Sequence, residues 1–124
     1  MAVSDFNDDG KSDILWRNDT TGQVYQVQMN GLSILSEGFV YTQPNLSWKV
    51  VGQGDYNGDG KSDLLWRNDS TGQVYMMLLD GRTIISEGMV SVQPNLSWEI
   101  LGSGDFDGDG KSDILWRNVS TGQV

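Results

Sequence analysis

Three stretches of the sequence combine closely spaced acids with glycine, and the chemistry open to them is oxygen ligation of a metal ion. They are SDFNDDGKSDILWRN at residues 4–18, GDYNGDGKSDLLWRN at 54–68 and GDFDGDGKSDILWRN at 104–118. The chain has 17 acids and eight bases, a formal net charge of −9. Carboxylates crowded together repel one another unless a cation lies among them. Each stretch is therefore either a metal site or an acid-rich turn, and recurrence in three copies favours the metal site.

Calcium is the ion that the spacing favours. It takes about six to eight oxygens, and short side chains at positions 1, 3, 5 and 9 of a curved loop can converge on it. Glycine at position 6 permits the bend, and the lysine carbonyl at position 7 would add an oxygen. The candidate ligands are Asp5, Asn7, Asp9, Lys11 and Asp13 in the first loop, Asp55, Asn57, Asp59, Lys61 and Asp63 in the second, and Asp105, Asp107, Asp109, Lys111 and Asp113 in the third. We expect up to three calcium ions per chain.

The differences between the three loops that bear on metal binding are at positions 3 and 4. Position 4 is Asp8 in the first loop but Gly58 and Gly108 in the others. If the backbone needs a positive φ there, aspartate tolerates it less well than glycine, so we expect the first site to be the weakest. The third loop has aspartate at position 3 and hence four carboxylates, which predicts the tightest site if ligand charge dominates.

Composition excludes several functions. The sequence contains no histidine and no cysteine, which removes the usual zinc ligands, the usual general base and any disulfide framework. The acidic balance argues against binding to nucleic acid or anionic membranes. We expect a non-enzymatic chain without a signal peptide or a membrane span.

The sequence is a tandem repeat with a period of fifty residues. Residues 4–53 and 54–103 are identical at 30 of 50 aligned positions, and a period of this size is typical of solenoids, propellers or arrays. We treat residues 1–124 as a single repeat array, with repeat 1 at 4–53, repeat 2 at 54–103 and partial repeat 3 at 104–124.

Each period predicts four antiparallel strands and almost no helix. In repeat 2 these are residues 47–54, 63–68, 73–79 and 83–90, with the acidic loop between the first and second strand. Asn30-Gly31 and Asp80-Gly81 predict two-residue type I′ hairpin turns, which need a positive φ at both central positions. Four antiparallel strands per period indicate an all-β fold, a β-propeller with about 2.5 blades per chain.

In the loop, position 12 is tryptophan rather than the glutamate of an EF-hand. With aspartate at position 9, a following apolar strand and a fifty-residue period, the sequence resembles the FG-GAP and VCBS repeat families, the former known from integrin α-subunit propellers. The resemblance covers nearly the whole chain, and it implies structural calcium between the first and second blade strands. The chain is also similar to calcium-binding propeller lectins of fungi, in its loop and blade alone.

A chain of two and a half blades would leave exposed faces, so we expect a homo-oligomer to close the ring. If the strand near residues 98–104 completes the next chain's first blade, three chains give six blades. If every half blade counts, two chains give five. Closed cyclic symmetry is the usual outcome for identical chains.

Five tryptophans could form a binding surface or pack in the core. Trp16, Trp66 and Trp116 each precede an arginine that points to the opposite side of the strand, so we expect these tryptophans to pack between blades. Trp48 and Trp98, each after the loop QPNLS, are the better candidates for ligand binding, although core packing is the favoured alternative.

Three functions remain open at this level. The first, implied by the family resemblance, is a non-catalytic module for extracellular binding or adhesion at the cell surface, with glycans or proteins as partners. The second is a lectin with sites between blades. The third is an engineered or recently amplified repeat protein that only folds and assembles.

Overall fold

The computed structural model describes residues 4–124, and every regular element in this range is a β-strand. The strands are β1 (Ile14–Arg17), β2 (Gln23–Asn30), β3 (Ser33–Thr42), β4 (Trp48–Gly54), β5 (Asp63–Asn68), β6 (Gln73–Asp80), β7 (Thr83–Val92), β8 (Trp98–Gly104) and β9 (Asp113–Asn118). The predicted all-β fold is therefore confirmed. The strands predicted for repeat 2 match β4 to β7, with ends that differ by at most two residues.

The strands form three antiparallel sheets in chain order. The first sheet is β1-β2-β3, the second is β4-β5-β6-β7 and the third is β8-β9. The second sheet is the complete four-stranded unit predicted from the period. Within residues 4–124 the sheets do not close into a ring, so the predicted ring is not a property of this single chain.

The main core lies between the first and second sheets. Its buried side chains come from the first loop, from β2 and from the facing side of the second sheet: Phe6, Val24, Leu64, Trp66, Met77 and Leu79. Alternation along β5 places Trp66 and Arg67 on opposite faces, as predicted. β5 is buried along its whole length, because neighbouring sheets cover both of its faces.

The hairpin turns differ from the sequence prediction. Asn30 pairs with Ser33, and Asp80 pairs with Thr83, so the central residues are Gly31-Leu32 and Gly81-Arg82. A positive φ occurs at the glycines alone, 60° at Gly31 and 62° at Gly81, which is the requirement of a type II′ turn. The type I′ prediction was wrong because Asn30 and Asp80 end the strands instead of entering the turn.

An arginine joins each sheet to the next one. Arg67 on β5 donates from Nη1 to the Gly72 carbonyl at 2.8 Å, and from Nη2 to the carbonyls of Gln93 at 3.2 Å and Trp98 at 3.0 Å. Arg17 makes the same three bonds one period earlier. The arginine thus fixes the turn after its own strand and the start of the following sheet.

The same arginines also contact the next sheet through a tryptophan face. The Arg17 guanidinium lies 4.9 Å from the ring centroid of Trp66, and Arg67 lies 4.9 Å from that of Trp116. The junction between the first and second sheets and the junction between the second and third are therefore built alike.

Candidate metal centres

The second and third loops each bring three or more carboxylates together. In the second loop, single carboxylate oxygens of Asp55, Asp59 and Asp63 all lie within 4.8 Å of one another. The third loop groups Asp105, Asp107, Asp109 and Asp113 in the same way. Two oxygens that share a calcium ion at about 2.3–2.6 Å can be at most about 5 Å apart, so both clusters fit such an ion.

Backbone hydrogen bonds curl each loop around its first aspartate. Asp55 Oδ1 accepts from the amides of Gly58 at 2.8 Å and Asp59 at 3.1 Å, and its Oδ2 accepts from Gly60 at 2.8 Å. Asp105 repeats this pattern in the third loop. Gly60 has a φ of 86°, which confirms that position 6 makes the predicted bend.

Asp63 anchors the other end of the second loop and is completely buried. Its Oδ2 accepts from the Tyr56 amide at 3.0 Å, and its Oδ1 accepts from the Leu79 amide at 2.8 Å. The pKa of Asp63 is raised from 3.8 to about 6. Burial is the main cause of the raised pKa and the charges of Asp59 and Asp55 act in the same direction, while the two backbone hydrogen bonds oppose them. A carboxylate in this position gains stability from any cation that reaches it.

The third loop is exposed, and the pKa values of its first two acids, Asp105 and Asp107, are shifted in opposite directions. Hydrogen bonds from the amides of Gly110, Gly108 and Asp109 lower the pKa of Asp105. The Asp109 amide also lowers the pKa of Asp107, but desolvation and the charges of Asp109 and Asp113 outweigh it and raise that pKa. The crowding of like charges at position 3 is thus specific to this loop.

The first loop differs from the other two. Asp8 has a φ of 60°, while Gly58 and Gly108 at the same position have 80° and 77°. Position 4 therefore does need a positive φ, as the ranking of the sites assumed. Among residues 4–124, the grouping of three carboxylates occurs in the second and third loops, and Asp5, Asp9 and Asp13 are not grouped in this way.

The remaining predicted ligands, the asparagines at position 3 and the lysines at position 7, contact the aspartate at position 5 of their own loops. Asn57 Oδ1 accepts from the Asp59 amide at 3.2 Å, and the Asn7 side chain lies beside Asp9. The amides of Lys11, Lys61 and Lys111 each donate to the aspartate two residues earlier at 2.9 Å. The Lys61 ammonium extends to Asp80 at 2.7 Å.

Consecutive loops are tied to each other by a serine that sequence reasoning missed. The Ser62 amide donates to the Asp5 carbonyl at 2.7 Å, and the Asp5 amide donates to Ser62 Oγ at 2.8 Å. The Ser112 amide donates to the Asp55 carbonyl at 2.6 Å. The presence of serine at position 8 in all three loops was the available signal.

The two tryptophans predicted to bind a ligand line separate cavities. Trp48 lines a cavity of about 240 Å³ together with Tyr41, Gln43, Trp66, Tyr75 and Met77. Trp98 lines one of about 250 Å³ with Lys49, Val51, Arg67, Asp69, Leu96, Glu99 and Ile100. The first cavity is lined mainly by aromatic side chains, whereas the second is lined by both positively and negatively charged side chains.

Repeated antiparallel sheets, with an acidic loop between the first and second strands of the second and third sheets, define a β-rich tandem repeat protein of propeller type. The FG-GAP-like repeat matches residues 55–116, which is half of the chain and includes the second and third loops. The chain belongs to the FG-GAP-like repeat family. No curated protein and no solved structure matches it significantly. No described residue lies in a helix that is long and apolar enough to cross a membrane.

Proposed function

We propose that the chain is a non-catalytic repeat module whose acidic loops bind calcium and thereby stabilise the sheets. The observation that carries this proposal is the grouping of Asp55, Asp59 and Asp63, repeated by four aspartates in the third loop. Each group lies between the first and second strand of its sheet, so a bound ion would hold that pair of strands together. A bound calcium ion would neutralise the charge of the grouped acids, and hydrogen bonds from the loop's own backbone to Asp55 and Asp105 fix the loop.

The module is proposed to act by binding, outside the cell and as an assembly of identical chains. Its carboxylates serve as ligands, and the sequence has no histidine or cysteine for acid–base or nucleophilic work. All-oxygen loops of modest charge suit the calcium levels of extracellular modules better than those of the cytosol. Adhesion to a glycan or protein partner is the role that membership of the family supports.

Removal of the metal tests the calcium proposal. A ligand that binds the folded state raises its stability by mass action, so we expect the melting temperature to rise with added calcium and to fall with excess chelator. Asp109→Asn should reduce the calcium response, since it removes a grouped carboxylate from the third loop. Asp69→Asn, an exposed acid outside the loops, is the matched control. Identical melting curves with calcium and with chelator would refute the proposal.

A lectin is the second candidate, and the cavity at Trp48 favours it. Four aromatic side chains line this cavity: Tyr41, Trp48, Trp66 and Tyr75. Trp48 and Tyr75 meet edge to face at 6.2 Å, and aromatic faces of this kind can stack on pyranose rings. We expect Trp48→Ala to abolish saturable binding of a monosaccharide in titration calorimetry. Absence of binding by the unaltered chain across a glycan array would reject this candidate.

A further inference from the structure

The two junctions within the chain have a direction, because the arginine always comes from the earlier sheet. Arg17 of the first sheet covers Trp66 of the second, and Arg67 of the second covers Trp116 of the third, both at 4.9 Å. Each sheet therefore has an arginine side and a tryptophan side. Successive sheets therefore pack head to tail, with the arginine side of one sheet against the tryptophan side of the next.

The tryptophan side of the first sheet is exposed. Trp66 is 2% exposed, but Trp16 at the equivalent position is 62% exposed. Ile14 is also exposed, whereas its equivalent Leu64 is fully buried. Beside them, Tyr25 and the exposed Phe39 stack edge to face at 4.9 Å. We name this surface, made of Ile14, Trp16, Tyr25 and Phe39, the Trp16 face.

The arginine side of the third sheet is exposed as well. Arg67 is buried, but Arg117 at the equivalent position is exposed. Phe106 is 62% exposed, whereas Phe6 is fully buried, and the Phe6 carbonyl accepts from the Gly81 amide of the second sheet at 3.2 Å. We name the surface formed by Phe106 and Arg117 the Arg117 face.

We propose that the Arg117 face of one copy packs on the Trp16 face of a second copy, with Arg117 over Trp16. The occupant is a second copy because the two faces carry the same partners that already meet twice inside the chain. A guanidinium over an indole face is attractive, and more so once water is excluded. Phe106 would be buried as Phe6 is. This inference rests on the proposed assembly of identical chains and supplies its contact surfaces.

A head-to-tail contact differs from a symmetric one, since the two copies use different faces. Trp16→Glu disables one face and leaves the Arg117 face intact, and Arg117→Glu does the reverse. Each variant alone should run as a monomer in size-exclusion chromatography with light scattering, at concentrations where the unaltered chain associates. A mixture of the two should give a complex of twice the 13.7 kDa chain mass and nothing larger, because only one working junction remains.

The matched control is Ile85→Glu, which also places a charge on an exposed apolar side chain. Ile85 and its equivalent Leu35 are 54% and 55% exposed, so neither junction covers this position, and we expect the variant to associate like the unaltered chain. Circular dichroism verifies that each variant folds. If Trp16→Glu does not fold, Phe39→Glu takes its place, since Phe39 lies on the same face.

Three results would overturn the inference: a monomeric unaltered chain, undiminished association of Arg117→Glu, or folded variants that fail to form the mixed dimer. Failure of the calcium proposal is distinguishable from these. If the melting curve ignores chelator while the mixed dimer forms, the calcium proposal fails and the contact surfaces stand. If chelator lowers the melting temperature and no mixed dimer forms, the surfaces are wrong and the calcium proposal stands.

Discussion

Asp63 combines two properties that oppose each other in a protein without metal. It is completely buried, and two backbone amides hold its carboxylate in one orientation. The hydrogen bonds favour the charged form, but burial dominates and leaves a pKa of about 6. Between the unfolded value of 3.8 and about 6, the folded state therefore binds a proton more tightly than the unfolded chain does.

The stability of the chelated protein should accordingly depend on pH. The contribution of protonated Asp63 is fully present below about pH 4 and is lost as the pH rises through about 6, a change on the order of 1–3 kcal/mol. Thermal melts in chelator from pH 4 to 7 measure it, and Asp63→Asn should lack this component. With calcium the trend should reverse, because the metal needs the ionised carboxylate. A chelated protein whose stability rises over this range relative to Asp63→Asn would contradict the assignment.

The sequence predicted Asp63 as a metal ligand but did not predict its burial or its hydrogen bonds. The spacing of the loop identified it as a ligand candidate at the start of a strand. Its carboxylate accepts hydrogen bonds from the amides of Tyr56 and of Leu79 on β6, so its environment is set by how the loop and β6 fold around β5. In contrast, the need for a positive φ at Asp8 was accessible from the sequence, since two of three copies have glycine there.

The strands were the most predictable elements, and the turns the least. Short apolar runs bounded by glycine and aspartate located β4 to β7 within two residues. The hairpin turn was misassigned because the motif Asn-Gly suits the type I′ turn in isolation. The actual pairing of Asn30 with Ser33 and of Asp80 with Thr83 moves the turn by one residue. Register between strands decides this, and local sequence does not contain it.

The arginine bonds at the strand ends were also beyond sequence reasoning. Arg67 contacts the carbonyls of Gly72, Gln93 and Trp98, which are separated from it by up to 31 residues. Gly72 is required in the same place, because its φ is 78° and a Cβ there would lie 2.0 Å from the Gln93 carbonyl oxygen. The turn that contains Gly72 therefore connects the second and third sheets through Arg67, although its sequence is typical of an ordinary turn.

For the whole molecule, the first loop contributes to the hydrophobic core as well as being a candidate ion site. Phe6 inserts between the first and second sheets and is fully buried in the main core. Its equivalent in the third loop, Phe106, is 62% exposed. The same position in the repeat thus has opposite surroundings at the two ends of the chain.

Truncation of these two phenylalanines to alanine should have different effects on the free energy of unfolding. Phe6→Ala should lower the free energy of unfolding by about 3–5 kcal/mol, the usual cost of removing a buried phenylalanine side chain. Phe106→Ala should change it by no more than about 0.5 kcal/mol, as is typical of surface positions. Urea unfolding at dilutions where chains are separate measures both values. Equal effects of the two substitutions would show that Phe6 is not part of the core.

The repeated contact of arginine with tryptophan also makes the chain modular in length. A whole period of fifty residues inserted between residues 53 and 54 would bring its own arginine side and its own tryptophan side, so both new junctions would copy the existing ones. Half a period would bring one side without the other and leave a mismatched joint. Duplication of whole periods therefore enlarges this protein without the need for any new contact, which is the condition under which a gene of this kind can grow by simple copying.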